Sequence, residues 1–213
     1  YESPRSDFAG NGRRFRVSVS RETLIEVFGD QLGLVERYAE ILKTQGVERG
    51  LIGPREVDRL WERHLLNSAL MLPRVPLGSS VADIGTGAGL PGLVWAITRP
   101  DLTVTLVEPL LRRASFLQEV VDALDIGRVR VLRARAEEVD ETFDVVTARA
   151  VAALPKLSKW CMPLVASGGL FLPLKGQSAA GEVEEARSLL KRLGASAIDI
   201  VTYSSSTDPV QSV

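Results

Sequence analysis

One cysteine and one histidine are all the thiol and imidazole this chain carries. A lone Cys161 excludes an intramolecular disulfide, and Cys161 with His64 cannot complete a structural zinc site. A reducing cytoplasm is therefore the expected compartment, and no metal is expected. No apolar run approaches the ~20 residues that a membrane-spanning helix needs, and the N-terminal stretch is polar and arginine-bearing. An excess of charge is missing too: 26 basic residues stand against 27 acidic ones, which argues against a histone-like nucleic-acid binder. Nor does the chain have a disordered composition, with 45% hydrophobic and 25% charged residues in 213. What remains is a globular α/β chain able to bury its own core, expected as a monomer. The first residue is Tyr1, so a trimmed or longer beginning is expected.

Periodicity divides the chain into three parts. Residues 1–20, rich in Arg, Gly and Ser, read as a flexible arm. Residues 21–78 read as a helical extension. Its first helix runs from Arg21 to Gly46, with Leu24, Ile25, Val27 and Phe28, then Leu32, Val35, Tyr38 and Leu42, at three-to-four spacing. Pro54 opens a second, bearing Val57, Leu60, Trp61, Leu65 and Leu66. Residues 79–213 alternate strands with helices. Strands are expected over 81–84, 102–107, 129–132, 143–147, 169–174 and 197–201, and helices over 91–97, 110–124, 154–165 and 180–193. A last strand would begin near the end. Such alternation predicts βαβ units and a mostly parallel sheet with helices on both faces, a Rossmann-like arrangement packed as one unit with the extension.

The first strand runs into Asp83-Ile84-Gly85-Thr86-Gly87-Ala88-Gly89-Leu90-Pro91-Gly92. Glycines at 85, 87 and 89 let the backbone turn tightly and come close to a ligand. The dinucleotide fingerprint G-x-G-x-x-G is not met, because Leu90 stands at its third glycine position. Asp83, two residues before the first glycine, would repel a pyrophosphate but suits a ligand with ammonium and sulfonium charge. The turn therefore points to S-adenosylmethionine rather than NAD. Glu108, ending the second strand, is placed to accept both hydrogens of a ribose diol. Ala136 and Glu137 follow the third strand, where an adenine ring would lie. Arg149 follows the fourth, nearest the transferred methyl. An arginine is no base at neutral pH, so its role would be to bind an anion or orient a nucleobase. The D/N-P-P-Y/F motif of exocyclic amine methylation is absent. Cys161, between Trp160 and Met162, reads as a buried thiol, which disfavours a cysteine adduct. His64 reads as a packing or capping residue, with a substrate role left open.

Local charge is uneven. Arg149, Lys156, Lys159 and Lys175 are the charged residues of 145–180, and Arg112 and Arg113 open the helix after the second strand. Together they form an expected basic rim for RNA phosphates, with no carboxylate nearby in the sequence. Solvated helix faces would give the same pattern.

Several of these runs resemble one family. Arg63-His64-Leu65-Leu66-Asn67-Ser68, the whole turn from Asp83 to Gly92, Arg112-Arg113 with Phe116-Leu117, Ala136-Glu137, Ala148-Arg149-Ala150 with Leu154, and Leu174-Lys175-Gly176 resemble the small-subunit ribosomal RNA guanine-N7 methyltransferases, also called the glucose-inhibited division protein B family. The resemblance runs from about Leu24 to Lys191. It implies an S-adenosylmethionine-dependent methyltransferase fold and a bacterial enzyme that methylates N7 of one guanine in 16S rRNA, free or in the 30S subunit. It also implies cofactor contacts at Gly85, Leu90, Ala136, Glu137 and Arg149, with Glu108 as the ribose acid. From the residues themselves, Asp83, Thr86 and Gly87 are expected to join these contacts, Arg149 is the expected catalytic residue, and Arg112, Arg113, Lys156 and Lys175 are the expected RNA contacts. Leu111-Arg112-Arg113 departs from the family's usual small-or-polar residue followed by Lys-Arg. Outside the family, a small-molecule or protein methyltransferase, an NAD-dependent oxidoreductase and a non-catalytic RNA-binding protein are the competing readings.

Overall fold

A computed structural model describes residues 19–204 and 209–212. The expected arm lies outside the described residues, save Val19 and Ser20. Ser20 caps the first helix, its hydroxyl accepting from the Thr23 amide at 3.2 Å. That helix, α1 (Arg21–Phe28), stops at Gly29, whose φ of +51° leaves the helical region. The single helix expected over 21–46 is therefore broken: a 3₁₀ turn (Gly29–Gln31) leads to α2 (Leu32–Ile41) and a π turn (Leu42–Gly46). Beyond Pro54 the expected helix is wound three ways, 3₁₀ over Pro54–Arg59, π over Leu60–Leu66 and α in α3 (Asn67–Ala69). Wide π turns of this kind recur at functional sites.

The rest follows the alternation. β1 (Ser80–Ile84), α4 (Gly92–Thr98), β2 (Thr103–Val107), α5 (Leu111–Leu124), β3 (Val129–Leu132), β4 (Phe143–Arg149), α6 (Leu154–Cys161), β5 (Val165–Lys175), α7 (Ala179–Arg192), β6 (Val201–Ser204) and β7 (Pro209–Ser212) succeed one another. The sheet order is β3-β2-β1-β4-β5-β7-β6, with the first five strands parallel and β7 antiparallel to both its neighbours. The boundaries that differ most from expectation surround β5 and β6. The helix expected over 154–165 ends at Cys161, where a 3₁₀ turn (Met162–Leu164) containing Pro163 takes over. β5 starts four residues early because Val165 already pairs with Phe143. The sixth strand starts only at Val201, where the ladder with β7 begins opposite Ser212.

Strand side chains alternate between two apolar layers, as a sheet covered on both faces requires. Val81, Val104, Leu106 and Val145 join one core, which also takes in Leu24, Phe28, Val35, Tyr38, Leu60 and Leu65 of the helical segment. Ala82, Ile84, Val107, Val146 and Ala148 face the other, with Leu157 and Cys161 of α6. Between extension and sheet lies α4, buried from Gly92 to Ile97, whose Trp95 indole donates to the Ser68 carbonyl at 2.7 Å. Because β1 lies between β2 and β4, successive connections leave it in opposite directions. A crevice at the carboxyl ends of the strands opens at such a reversal.

Candidate active site

The glycine turn occupies that crevice. Gly85 has φ +66°, and a Cβ there would lie 2.8 Å from Cγ2 of Val151. Any larger residue is thus excluded both by backbone and by the loop after β4. Gly87 has φ +61°, but a Cβ on it would meet nothing nearer than the Gly85 carbonyl at 3.9 Å. The turn is packed at its start and open at its crest, as a backbone that receives a ligand should be.

Asp83 sits beneath the turn, fully buried. Its Oδ2 accepts from the Thr86 hydroxyl at 2.5 Å and the Gly92 amide at 2.8 Å. Its Oδ1, equally buried, has no hydrogen-bond partner among the described residues. Burial pushes its carboxyl up to about 6, against the two hydrogen bonds and the charge of Arg149. A buried carboxylate oxygen without a partner is costly and is a natural counter-group for a cation.

Glu108 is 2% exposed. Its Oε2 accepts from the Gly87 amide at 3.1 Å and its Oε1 from the Leu110 amide at 3.0 Å. The carboxylate thus ties the crest of the turn to the start of α5, with Arg113 Nη1 3.9 Å away. A carboxylate offers about four lone-pair positions, so acceptor capacity is left for a diol. Thr86 and Leu90 are buried in the turn, and Ala136 is buried in the 3₁₀ turn Ala136–Glu138 after β3, where Glu137 is exposed.

Across the crevice, Arg149 ends β4, followed by Ala150 in the left-handed region at φ +57°. Such a conformation is strained for a residue with a side chain and clusters at functional sites. Arg149 Nη2 lies 3.1 Å from Nδ1 of His64, and His64 Nε2 lies 2.9 Å from Oε2 of Glu56. Glu56 also accepts from Arg63 at 3.1 Å. Burial draws the Arg149 guanidinium below its ordinary value while Asp83 and Tyr38 oppose the shift; it stays charged at any physiological pH. Burial, then the Arg149 charge, holds His64 below the usual histidine range. Tyr38, fully buried in α2, donates to the Ala88 carbonyl of the glycine turn at 2.7 Å, and burial raises its phenol. Glu56 and Tyr38 carry no functional signal in the sequence: the Tyr38 hydroxyl reaches Ala88, 50 residues on, and Glu56 matters through nearby His64, whose partner Arg149 lies 85 residues away.

The basic rim is uneven. Arg112, Lys156 and Lys159 are exposed, with Lys156 over the Trp160 ring at 4.9 Å. Lys175 is not free: its side chain is 10% exposed, and its Nζ donates to the Ala152 carbonyl at 2.6 Å and pairs with Glu182 at 2.8 Å. The expectation that no carboxylate opposes the rim fails there. Burial works against the Glu182 carboxylate, but donation from Lys175, Ser178 and the Leu154 amide outweighs it and lowers its pKa. Cys161 is buried, and desolvation pushes its thiol up to about 12, far from the thiolate that a nucleophile needs. Among the described residues no group of three or more His, Cys, Asp or Glu side chains could hold a metal ion. Among the described residues no helix is long and apolar enough to cross a membrane.

The same architecture occurs in solved methyltransferases. M. jannaschii TYW2 in complex with AdoMet aligns with a TM-score of 0.57 at 15% identity, over 71% of this chain and 74% of that one. Ribosomal protein L11 methylase from Lactobacillus delbrueckii subsp. bulgaricus gives 0.54 at 16% identity, over 68% and 75%. At these identities the likeness concerns the fold alone. Relatives in sequence are much nearer. A ribosomal RNA small subunit methyltransferase G from Salinispora arenicola is 56% identical over 183 residues, covering 82% of this chain and 76% of its own. One from Rhodococcus jostii is 53% identical over 193 residues, covering 88% and 85%. Residues 31–209 match the family described as rRNA small subunit methyltransferase G. A match of that length, at more than half identity to its members, means that this chain belongs to the rRNA small subunit methyltransferase G family and is a methyltransferase.

Proposed function

We propose that the protein transfers the methyl group of S-adenosylmethionine to N7 of one guanine in the 16S rRNA of the bacterial small subunit. The observation that carries this reading is the buried, unpartnered Oδ1 of Asp83 beneath an open glycine turn, at the point where the sheet order reverses. S-adenosylmethionine, when bound, supplies an electrophilic methyl on a sulfonium centre. Asp83 would answer its positive charge from below, Gly85, Thr86, Gly87 and Leu90 would form the backbone cradle, and Glu108 would receive the ribose diol with its remaining lone pairs. Ala136 and Glu137 would border the adenine. Guanine N7 offers a lone pair and no proton, so its attack requires no general base. The site agrees: Arg149 donates to the His64 Nδ1 lone pair, which is therefore unavailable as a base. Catalysis then rests on alignment, which can be worth ~7–11 kcal/mol, and Arg149 at the crevice mouth is the residue that aligns the base.

The exposed cations Arg112, Lys156 and Lys159 meet phosphates of the RNA, with Arg113 nearer the cofactor acid. The protein acts as a monomer in the cytoplasm, and residues 21–78 and 79–213 work as one unit on 16S rRNA or the 30S subunit. The test is methyl transfer from labelled S-adenosylmethionine to small subunits and to their naked RNA, with the modified nucleotide mapped chemically. N7-methylguanine at a single position, lost in Arg149→Ala, is expected. Efficient methylation of free guanosine, or methylation elsewhere than N7, would refute the assignment.

A further inference from the structure

The helical segment before the sheet reaches the site through one histidine. Arg149 carries only donors, so a 3.1 Å contact between its Nη2 and Nδ1 of His64 requires Nδ1 to be the unprotonated, accepting nitrogen. The proton of the neutral ring then sits on Nε2, which faces a Glu56 carboxylate oxygen at 2.9 Å. Both ring nitrogens are thus satisfied in one tautomer only, and Glu56 selects it, as a carboxylate behind an imidazole does elsewhere. His64 is 15% exposed, set in the π winding Leu60–Leu66, whose Ser68 neighbour fastens back onto the His64 carbonyl at 2.6 Å. The other charged groups that act on the pair are Arg63, which bonds Glu56, and Asp83, which acts on Arg149.

We infer that His64 is a positioning residue for the methyl transfer: its Nδ1 fixes the Arg149 guanidinium at the crevice mouth, and Glu56 fixes the ring that does so. The inference rests on the reading above that Arg149 aligns the acceptor base. Nothing in it assigns His64 a proton transfer. A free arginine side chain has many rotamers, and this one ends a strand just before the strained Ala150. A single accepting nitrogen inside the protein restricts them, and small misplacements of an aligning group cost rate heavily.

Two measurements test the inference. His64 is the chain's single histidine, so the nitrogen-15 spectrum of a histidine-labelled sample reports this ring alone. At mildly alkaline pH it should show a protonated Nε2 and an unprotonated Nδ1 in slow tautomeric exchange, and Arg149→Lys or Glu56→Ala should shift the Nδ1 resonance. The second measurement is a double-mutant cycle on methyl transfer. His64→Ala should lower kcat roughly tenfold or more with a smaller change in KM for the cofactor, and His64→Asn, which restores an acceptor near Nδ1, should recover part of it. In an Arg149→Lys background the same His64→Ala change should cost little more, because the two residues act as one. A folded His64→Ala enzyme with normal kcat, a loss equal in both backgrounds, or an Nδ1-protonated ring would overturn the inference while leaving the function reading intact. An Arg149→Ala enzyme with full activity would instead overturn that reading.

Discussion

The two sides of β1 are built by different means. On the β2 side the site is mostly backbone: three glycines, the Gly92 amide on Asp83, the Gly87 and Leu110 amides on Glu108, and one distant side chain, the Tyr38 hydroxyl on Ala88. On the β4 side it is a set of side-chain contacts: Arg149 with His64, 85 residues apart, and Lys175 with the Ala152 carbonyl, 23 residues back, and with Glu182 across the start of α7. The first side constrains what the chain can be at consecutive positions. The second constrains which distant residues must be present together. A donor that must be held in one pose suits the first construction, and a mouth that must admit a large polyanion suits the second.

The comparison breaks most visibly at Gly85. Gly85→Val meets Val151 and a left-handed backbone together, so S-adenosylmethionine affinity should fall by two orders of magnitude or more, since strain of this kind costs about 1–3 kcal/mol before any ligand clash. Calorimetry on the folded variant decides it; a near-normal affinity would mean that the turn is not the cradle.

Next in size is the pH response of Asp83. Its native carboxyl, at about 6, lies above its unfolded value near 3.8. The native state therefore holds the proton more tightly, and stability falls as pH rises between these values. The penalty, on the order of 3 kcal/mol, is fully present above 6. A cationic ligand offsets it, so cofactor affinity should climb as pH rises through about 6, and the melting temperature of the ligand-free protein should decline over the same window. Asp83→Asn should flatten both curves. Parallel curves for wild type and variant would show that Oδ1 does not face the ligand's charge.

The smallest effects separate the rim's members. Lys175→Ala strips a half-buried carboxylate and a carbonyl of their donor, a loss of about 1–3 kcal/mol in stability, with the salt dependence of RNA binding unchanged. Arg112→Ala should leave the melting temperature unaltered and reduce the slope of log affinity against log salt by roughly 0.7–0.9, as one phosphate contact does. If Lys175→Ala lowers the slope as well, its pairing with Glu182 opens when RNA binds.

Legibility in the sequence follows the same division. The glycine turn, Asp83 and Glu108 are local features of strand ends, so spacing alone locates them. β3 is found residue for residue because Val129 and Val131 alternate with Arg128 and Arg130, a period of two that fits a strand. The break at Gly29 is hidden because three-to-four periodicity continues across it; only the glycine itself signals the stop. β5 begins early for a non-local reason, its register against Phe143. Lys175 reads as unopposed in the sequence because Glu182 is seven residues on, across the start of α7; the acid in that helix's first turn is the one local signal of the pair. Glu56 and His64 carried no signal for Arg149: only folding brings them together.

The most direct test of the account is a calorimetric titration of S-adenosylmethionine into wild type, Glu108→Gln and Lys175→Ala, with each variant's fold checked by its melting curve. Glu108→Gln keeps the side chain's size but weakens acceptance from Gly87 and the ribose, each charge-assisted bond being worth roughly 1.5–3 kcal/mol. The account predicts affinity reduced more than tenfold in Glu108→Gln and unchanged in Lys175→Ala. Equal affinity in wild type and Glu108→Gln would contradict it, because the donor would then not be held between β1 and β2.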